Sequence, residues 1–302
     1  MVQVLNMSDY IELQKRINKV LGKKIFFIVG TMKSGTTWLQ LILDSHPDVS
    51  CRGEGHFTDI LATNLAKSFE DYNARISNIY NNRIFNEIPG YPTLQRDHYT
   101  FVLRSTICLL LYDQMDGRNV RAIGEKTPNH TRALHFLSQL FPAAKFIHLI
   151  RDGRDTAVSA WFHFLRINPN GLPDQAGSFS EFIEKFAHQW ASDIKEARKY
   201  GAQNPDSYRE YRYESLHDTG DAVIREILEF LDIDSADSVV RGCLESASFD
   251  RLSSGRKPGH ENKGSHFRKG VVGDWKNHFS SHDAGRFSKV AGNMLDRLGY
   301  GS

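Results

Sequence analysis

The sequence is poor in cysteine and has no long apolar run. Its 302 residues include only Cys51, Cys108 and Cys243, an odd number without paired spacing, which argues against a disulfide framework or a zinc site. No apolar stretch approaches the roughly 20 residues that a membrane-spanning helix needs. The formal net charge of +2 is small, so the composition indicates no nucleic-acid partner.

The first residues also lack the basic and then apolar order of a signal peptide. With 40% hydrophobic and 25% charged residues, the composition is ordinary for a globular protein. We therefore expect one domain over residues 1–302, belonging to a cytoplasmic enzyme with no membrane span and no bound metal.

Apolar runs and helical patterns alternate along the chain. Short apolar or β-branched runs predict strands at 25–29, 120–123, 145–150 and 208–213. Helical spacing predicts helices at 10–21, 101–112, 131–140, 179–200, 222–231 and 282–298. This alternation favours an α/β fold with a parallel sheet flanked by helices. Segments 168–177 and 253–273 are predicted to be long loops with a binding or lid function.

A glycine-rich loop follows the first predicted strand. Residues 26–38 read FFIVGTMKSGTTW, which predicts a buried strand, a loop and the start of a helix. Gly30 and Gly35 keep the spacing of a Walker A loop, but Thr36 stands where that loop has its lysine, and Lys33 lies inside the loop. Loop N–H groups at a helix N-terminus bind anions, so we expect Lys33 to contact the far end of a bound phosphate. A variant P-loop NTPase is the alternative.

An arginine follows the strand predicted at 145–150. Arg151 stands at the carboxyl end of that strand, where α/β folds bind ligands, and Ser159 follows in the first turns of the next helix. A guanidinium and a hydroxyl together can hold a second phosphate. A surface network of Arg151 and Arg154 with Asp152 and Asp155 is an equally open interpretation.

Three segments together resemble those of sulfotransferases that use 3′-phosphoadenosine 5′-phosphosulfate (PAPS). The 33–38 sequence KSGTTW resembles their 5′-phosphosulfate loop, and Arg151 with Ser159 resembles their 3′-phosphate motif. Residues 267–279, FRKGVVGDWKNHF, resemble the RKGxxGDWKNxF motif of cytosolic sulfotransferases. The resemblance implies a P-loop NTPase-like fold, PAPS as donor and these donor-binding residues: Lys33, Ser34, Gly35, Thr36, Thr37, Trp38, Arg151, Ser159, Tyr213, Phe249, Arg268, Lys269 and Gly270.

The same resemblance suggests how the adenine is bound. Trp38 resembles the family's adenine-stacking tryptophan, with Tyr213 and Phe249 as companions; plain core packing of Trp38 is the alternative. Ala247 stands where the family usually has threonine, so a hydroxyl contact is missing there.

Two lysines are candidates for the chemistry. Lys33 is predicted to neutralise the charge that develops on the leaving phosphate oxygen. Residues 124–130, GEKTPNH, resemble the EKTP element of glycosaminoglycan sulfotransferases and, more loosely, the lysine motif of protein-tyrosine sulfotransferases, which implies that Lys126 assists at the sulfuryl group. Pro128 occupies the position of the catalytic histidine of cytosolic enzymes, so the base is left open.

The base is expected between residues 46 and 57. This segment resembles the region that holds a catalytic glutamate in tyrosyl-protein and glycosaminoglycan enzymes, and in an extended chain Glu54 and His56 point to one side. An imidazole accepts a proton at neutral pH, whereas a carboxyl needs burial to raise its pKa. Either residue remains a candidate, with Glu125 and His130 as further alternatives.

The acceptor is not identified by the sequence. A hydroxyl or amine of a small molecule, a glycan or a lipid fits the resemblance, and these aromatic residues could line an acceptor pocket: Phe57, Tyr91, Tyr99, Trp161, Phe162 and Phe164. The rival functions are a nucleotide kinase and a PAPS-binding module without activity. The dimer element of cytosolic enzymes is expected to be absent, because the positions after Lys276 are Ser280, Ser281 and Gly285 instead of Thr-Val and glutamate.

Overall fold

The computed structural model describes residues 5–81, 90–169 and 177–301. Within them, five parallel strands form a sheet in the order β2-β3-β1-β4-β5. Their bounds are β1 Lys24–Val29, β2 Val49–Arg52, β3 Ala122–Lys126, β4 Lys145–Ile150 and β5 Tyr208–Arg212. Central strand β1 pairs with both β3 and β4, so that Phe27 lies opposite Glu125 on one side and Phe146 on the other.

Helices connect the strands. Those within the described residues are α1 Met7–Leu21, α2 Thr36–Asp44, α3 Ala62–Asn81, α4 Arg96–Gln114, α5 Leu134–Leu140, α6 Gly153–Ile167, α7 Phe179–Gln203, α8 Tyr213–Asp218, α9 Gly220–Phe230, α10 Asp237–Ser246, α11 Phe249–Leu252 and α12 Ser281–Arg297. A π turn covers Phe57–Leu61, and 3-10 turns cover Pro128–Arg132 and Asp274–Asn277. None of these described helices combines the length and apolar character that a membrane span requires.

Apolar side chains cover both faces of the sheet. Because successive side chains of a strand point to opposite faces, Phe27 of β1 packs with α1, α4, α5 and α7. Its neighbour Phe26 packs on the other face with α2, α9 and α10. A third cluster joins α6, α7 and α12. The predicted α/β class, with a parallel sheet flanked by helices, is therefore confirmed.

Some elements differ from the sequence prediction. The strand predicted at 120–123 lies at Ala122–Lys126, and the helix predicted from residue 131 begins with a 3-10 turn and becomes α-helical only at Leu134. Strand β2 and helices α3 and α10 were not predicted. β2 is a four-residue edge strand, too short to show an alternating pattern. α3 does carry apolar residues at helical spacing, a signal that the sequence prediction missed: Leu65, Phe69, Tyr72, Ile76 and Ile79. Most of the predicted loop 168–177 lies outside the described residues.

The long segment 253–273 has no helix or strand, as predicted, but one arginine organises it. The Arg256 guanidinium donates to the carbonyls of Ser253, His260, Phe267 and Arg268 and to Ser265 Oγ, at 2.6 to 3.2 Å. We call residues 253–273 the lid loop.

Candidate functional site

A cavity of about 480 Å³ opens at the carboxyl ends of the strands. Every strand is followed by residues that line it: Lys33 after β1, Glu54 after β2, Pro128 after β3, Arg151 after β4 and Tyr213 after β5. The lid loop lies across it. Of the donor-binding residues expected from sequence, these line the cavity: Lys33, Gly35, Thr36, Thr37, Trp38, Arg151, Ser159, Tyr213, Phe249, Arg268, Lys269 and Gly270.

The glycine-rich loop forms an anion-binding turn beneath the cavity. Gly35 has φ 98°, and a Cβ there would lie 2.4 Å from the Tyr213 ring, so only glycine fits. Helix α2 begins at this glycine without a side-chain cap, which leaves its first N–H groups for a ligand. Among the described residues, the buried hydroxyls of Thr31 and Ser34 have no hydrogen-bond partner. These groups fit a phosphate.

Lys33 stands among other cations. Burial, followed by the nearby charges of Arg166, Lys126 and Arg151, lowers the pKa of its ammonium to about 8, with Glu54 acting in the opposite direction. Its backbone lies in the left-handed region, with φ 68°, which is unfavourable for a non-glycine residue. A polyanionic ligand would relieve the repulsion among these cations.

Three aromatic residues form one wall of the cavity, which we call the aromatic wall: Trp38, Tyr213 and Phe249. Trp38 packs partly against the sheet core and also lines the cavity, so its stacking on adenine stays a prediction. Its indole N–H donates to the Ala247 carbonyl at 2.9 Å, and its ring meets Tyr213 edge to face at 5.7 Å. Phe249 faces Gly270, where φ is 66° and a Cβ would lie 2.4 Å from the Phe249 ring. This wall can hold a planar base.

Arg268 and Lys269 share a buried carboxylate that sequence reasoning missed. Asp274 lies 2.5 Å from the Arg268 guanidinium and 2.5 Å from the Lys269 ammonium, and Glu261 also pairs with Arg268. Burial acts to raise the pKa of Asp274, but hydrogen bonds from Lys269, Asn277 and Arg268 outweigh it and hold that pKa well below its usual range. Both cations thus face the cavity with their orientation fixed. The sequence signal that could have revealed Asp274 is its place in the segment Gly273-Asp274-Trp275.

The Arg-Asp network at the start of α6 is present, and Arg151 in addition faces the cavity. Arg154 pairs with Asp152 at 2.8 Å, whereas Arg151 lines the cavity and lies 3.6 Å from Asp155. Buried Asp155 also accepts the N–H groups of Gly273 and Trp275, at 2.7 and 2.8 Å. It therefore anchors the end of the lid loop to α6.

Glu54 and His56 reach the cavity together, although not as parts of an extended strand. β2 ends at Arg52, and His56 adopts φ 47°. The His56 Nε2 lies 3.5 Å from the Glu54 carboxylate, and Glu54 pairs with Lys126. Lys126 itself is buried behind Glu54 and does not line the cavity. Its predicted contact with the sulfuryl group stays a prediction.

Asp59 orients the His56 ring and was missed in the sequence. The Asp59 carboxylate lies 2.9 Å from His56 Nδ1 and accepts a hydrogen bond from Asn129 at 2.8 Å. Partial burial acts to raise the pKa of Asp59, but the hydrogen bonds from Asn129 and His56 keep it below its usual value. A histidine held by a carboxylate is the arrangement of a general base. The sequence signal that could have revealed Asp59 is its position three residues after His56.

Glu125 and His130 are buried below this loop and do not line the cavity. Glu125 accepts hydrogen bonds from Gly55 N at 2.7 Å and from Thr127 Oγ1 at 2.5 Å, and Thr127 in turn accepts from His56 N at 3.3 Å. His130 Nδ1 lies 3.0 Å from the other Glu125 oxygen. These residues position the loop instead of reaching an acceptor.

The acceptor side differs from the expected one. None of the six aromatic candidates lines the cavity: Phe57 and Tyr99 pack in the sheet core, Tyr91 is exposed, Trp161 and Phe164 pack in the third cluster, and Phe162 lies beside Lys263 and Arg268. Beside Glu54 and His56, the lining includes Met32, Pro128, Asn129, His163 and His266. Periodicity marks aromatic residues as apolar but does not say whether they face a core or a cavity. His163, one turn after Ser159, could have been found from helical spacing.

The predicted dimer positions give no test of oligomeric state. Lys276 lies in the last 3-10 turn, Ser280 caps α12 and Gly285 lies within that helix. The absence of the cytosolic dimer mode stays a prediction. In the described part of the chain, no group of His, Cys, Asp and Glu side chains is arranged to hold a metal ion.

Comparison with known proteins identifies the family. A family model described as the sulfotransferase family matches residues 26–237. The chain is 32% identical over 161 residues to sulfotransferase 6B1 of Danio rerio, covering 50% of this chain and 53% of that protein. It is 29% identical over 216 residues to protein-tyrosine sulfotransferase A of Caenorhabditis elegans, covering 71% and 51%. The chain thus spans about half the length of these curated relatives.

Solved structures share the fold. Mouse sulfotransferase SULT7A1, complexed with PAP, superposes with a TM-score of 0.54 at 20% identity, covering 99% of each chain. Sulfotransferase STF9 from Mycobacterium avium gives 0.53 at 15% identity, covering 95% of this chain and 80% of that one. The family model covers well over half of the sequence, and so the chain belongs to the sulfotransferase family.

Proposed function

We propose that this protein transfers a sulfuryl group from PAPS to a hydroxyl or amine of an acceptor. The observation that carries the proposal is the shared cavity: three segments distant in sequence, around Lys33, Arg151 and Arg268, meet in one space of about 480 Å³. The uncapped start of α2 is suited to the 5′-phosphosulfate. Arg268 and Lys269 are suited to the 3′-phosphate, because guanidinium and ammonium groups bind phosphate strongly. The aromatic wall is suited to adenine.

Charge stabilisation is assigned to Lys33. PAPS supplies a sulfuryl group whose transfer to the acceptor oxygen breaks the bond to the 5′-phosphate oxygen and leaves negative charge on that oxygen. The Lys33 ammonium, next to the phosphate turn, neutralises this charge. Lys126 acts indirectly, since it holds Glu54 in an ion pair.

Proton removal is assigned to His56. Its Nδ1 is bound by Asp59, so Nε2 faces Glu54 and the cavity and can take the proton of the acceptor hydroxyl. The proton then resides on an imidazolium between two carboxylates, Asp59 and Glu54. Geometry therefore favours His56 over Glu54 as base.

Nucleotide binding tests the proposal most directly. Calorimetry should find that PAP, 3′-phosphoadenosine 5′-phosphate, binds far more tightly than ATP or adenosine 5′-phosphosulfate, because Ser159 and Arg268 have no phosphate to bind in the latter two. Equal affinities would contradict the donor assignment. Transfer of labelled sulfate from PAPS to a panel of phenols, steroids, sugars, lipids and peptides then tests the reaction.

The rival functions predict different outcomes. A nucleotide kinase requires magnesium and prefers ATP, whereas a PAPS-binding module without activity binds PAP and transfers nothing to any acceptor. A small molecule, a glycan and a lipid all remain acceptor hypotheses. A cytoplasmic location stays a prediction from the sequence.

A further inference from the structure

A positively charged surface lies beside Lys33 and combines three residues assigned to the donor, Lys33, Ser159 and Arg268, with cations that have no donor role. We call it the basic recess, lined by Lys33, Ser159, Phe162, His163, Arg166, Lys263, Ser265, His266 and Arg268. Its volume is about 10 Å³, room for one water molecule, so a larger group would bind at its mouth. Because Lys33, His163 and His266 also line the main cavity, the two spaces adjoin.

One face of α6 leads from the donor side to the recess. Three residues of α6 follow Ser159 at distances of three, four and seven positions: Phe162, His163 and Arg166. These spacings place all four side chains on a single stripe of the helix. Arg166 therefore lies about 10 Å farther along the helix than Ser159. That distance separates it from Ser159, whereas Arg268 lies at the same recess and is already paired with Glu261 and Asp274.

The charges of the recess are not balanced by acids. No carboxylate among the described residues lines it. Arg268 is neutralised by Glu261 and Asp274, but Arg166 contacts His163 Nδ1 at 3.1 Å, and the Lys263 ammonium lies over the Phe162 ring at 5.4 Å. Positive groups that face one another without an acid create a strong local potential for anions.

The neighbouring titratable groups respond to this potential. Burial, followed by the charges of Lys33, Arg166, His163 and Lys126, lowers the pKa of His266 to about 4. Burial, Lys33 and Arg166 also lower the pKa of His163, while Glu54 opposes them. Glu54 is the acid that faces this side, and it is already paired with Lys126.

We infer that the acceptor carries an anionic group, separate from the hydroxyl or amine that is sulfated, and that Arg166 and Lys263 bind this group at the mouth of the basic recess. The inference rests on the proposed function. The donor's phosphates are matched by the start of α2 and by Arg268 with Lys269, which leaves Arg166 and Lys263 for another anion. Because Lys33 and His163 line both spaces, an acceptor anchored there can extend its hydroxyl into the main cavity, which His56 also lines.

Matched pairs of acceptors test the inference. We would compare 4-hydroxybenzoate with 4-hydroxybenzamide, and glucuronate with glucuronamide, both in binding to the PAP complex and in transfer of labelled sulfate from PAPS. The anionic member of a pair should bind at least about tenfold more tightly, as expected for a charge-assisted contact of more than 1.4 kcal/mol. In Arg166→Gln and Lys263→Gln this preference should fall about tenfold, while the neutral members and PAP bind as before.

Lys257→Gln is the matched control, because Lys257 is exposed in the same lid loop and lines neither space. Anionic members that bind no better than neutral ones, or not at all, would overturn the inference although PAP binds. Weaker binding of PAP or PAPS to Arg166→Gln would assign the recess to the donor and would also overturn it. Failure of PAP to bind the unaltered protein would instead refute the proposed function.

Discussion

Lys33 should take up a proton when the nucleotide binds. Its pKa is lowered to about 8 in the free protein, first by burial and then by Arg166, Lys126 and Arg151. At pH 8 about half of the Lys33 side chains are then neutral, at pH 7 about a tenth and at pH 9 about nine tenths. Phosphate groups next to the ammonium favour its charged form and raise its pKa.

The expected proton uptake follows from these fractions. PAP binding should take up about 0.1 proton at pH 7, 0.5 at pH 8 and 0.9 at pH 9 through Lys33, and the affinity should fall up to tenfold per pH unit above pH 8. The pKa values of His163 and His266 are lowered from the usual imidazole range, so the rise in uptake between pH 7 and 9 is expected from Lys33.

Calorimetry in buffers of different ionisation enthalpy measures this uptake. Lys33→Met should abolish the part that rises between pH 7 and 9 and should weaken PAP binding most at pH 7, where the ammonium is charged. Equal uptake in both proteins at pH 8, or none in the unaltered protein, would refute the reasoning. The stability of the free protein also depends on pH through Lys33. The unfolded chain keeps the Lys33 proton up to about pH 10.5, whereas the folded protein loses it near pH 8. The free protein should therefore gain stability relative to Lys33→Met as pH rises from 8 to 10.5.

Four further predictions concern the site. His56→Asn should lower turnover about 10²- to 10⁴-fold with PAP affinity unchanged, and Asp59→Asn should lower it by a smaller factor and shift the pH profile; full activity of His56→Asn, in steady-state assays beside Glu54→Gln, would exclude it as base. Gly35→Ala should cost about 2 kcal/mol of stability and at least tenfold in PAP affinity, whereas Gly285→Ala, with open space around it, should not destabilise in chemical denaturation; an unaffected Gly35→Ala would contradict the cramped turn. Arg256→Lys should speed hydrogen exchange across residues 256–270, and unchanged protection would show that other contacts hold the lid loop. Sulfate transfer should persist in EDTA; a strict magnesium requirement would revive the kinase alternative.

The candidate donor-binding residues come together at one cavity because chemistry and chain order coincide there, although their contact with the donor stays a prediction. A buried strand at 25–29 must lead into the glycine loop, and an anion site then needs Gly35 and the start of a helix. Arg151 follows a second apolar strand for the same reason. Short-range patterns of this kind determine where backbone N–H groups and cations point.

The arrangement around Glu54 and His56 could not be predicted from sequence, because it depends on how the chain turns and on contacts between distant segments. Asp59 meets His56 only because the chain turns through a left-handed residue after a short edge strand, and Lys126 lies behind Glu54 because β2 pairs with β3. Arg256 binds backbone carbonyls, which no residue pattern displays. Whether Trp161 faces a core or a cavity is decided by α7 and α12, which follow later in the chain.

Asp155 has a consequence for how the two substrates influence each other. One carboxylate fastens the end of the lid loop to α6, and Ser159 and His163 of the same helix line the cavity, where we propose that donor and acceptor bind. A nucleotide that fixes the lid loop therefore also fixes the helix that an acceptor meets. By thermodynamic reciprocity, the acceptor then strengthens nucleotide binding by the same factor. Donor and acceptor should thus bind with positive cooperativity, and the second substrate to arrive should find its site already ordered by the first.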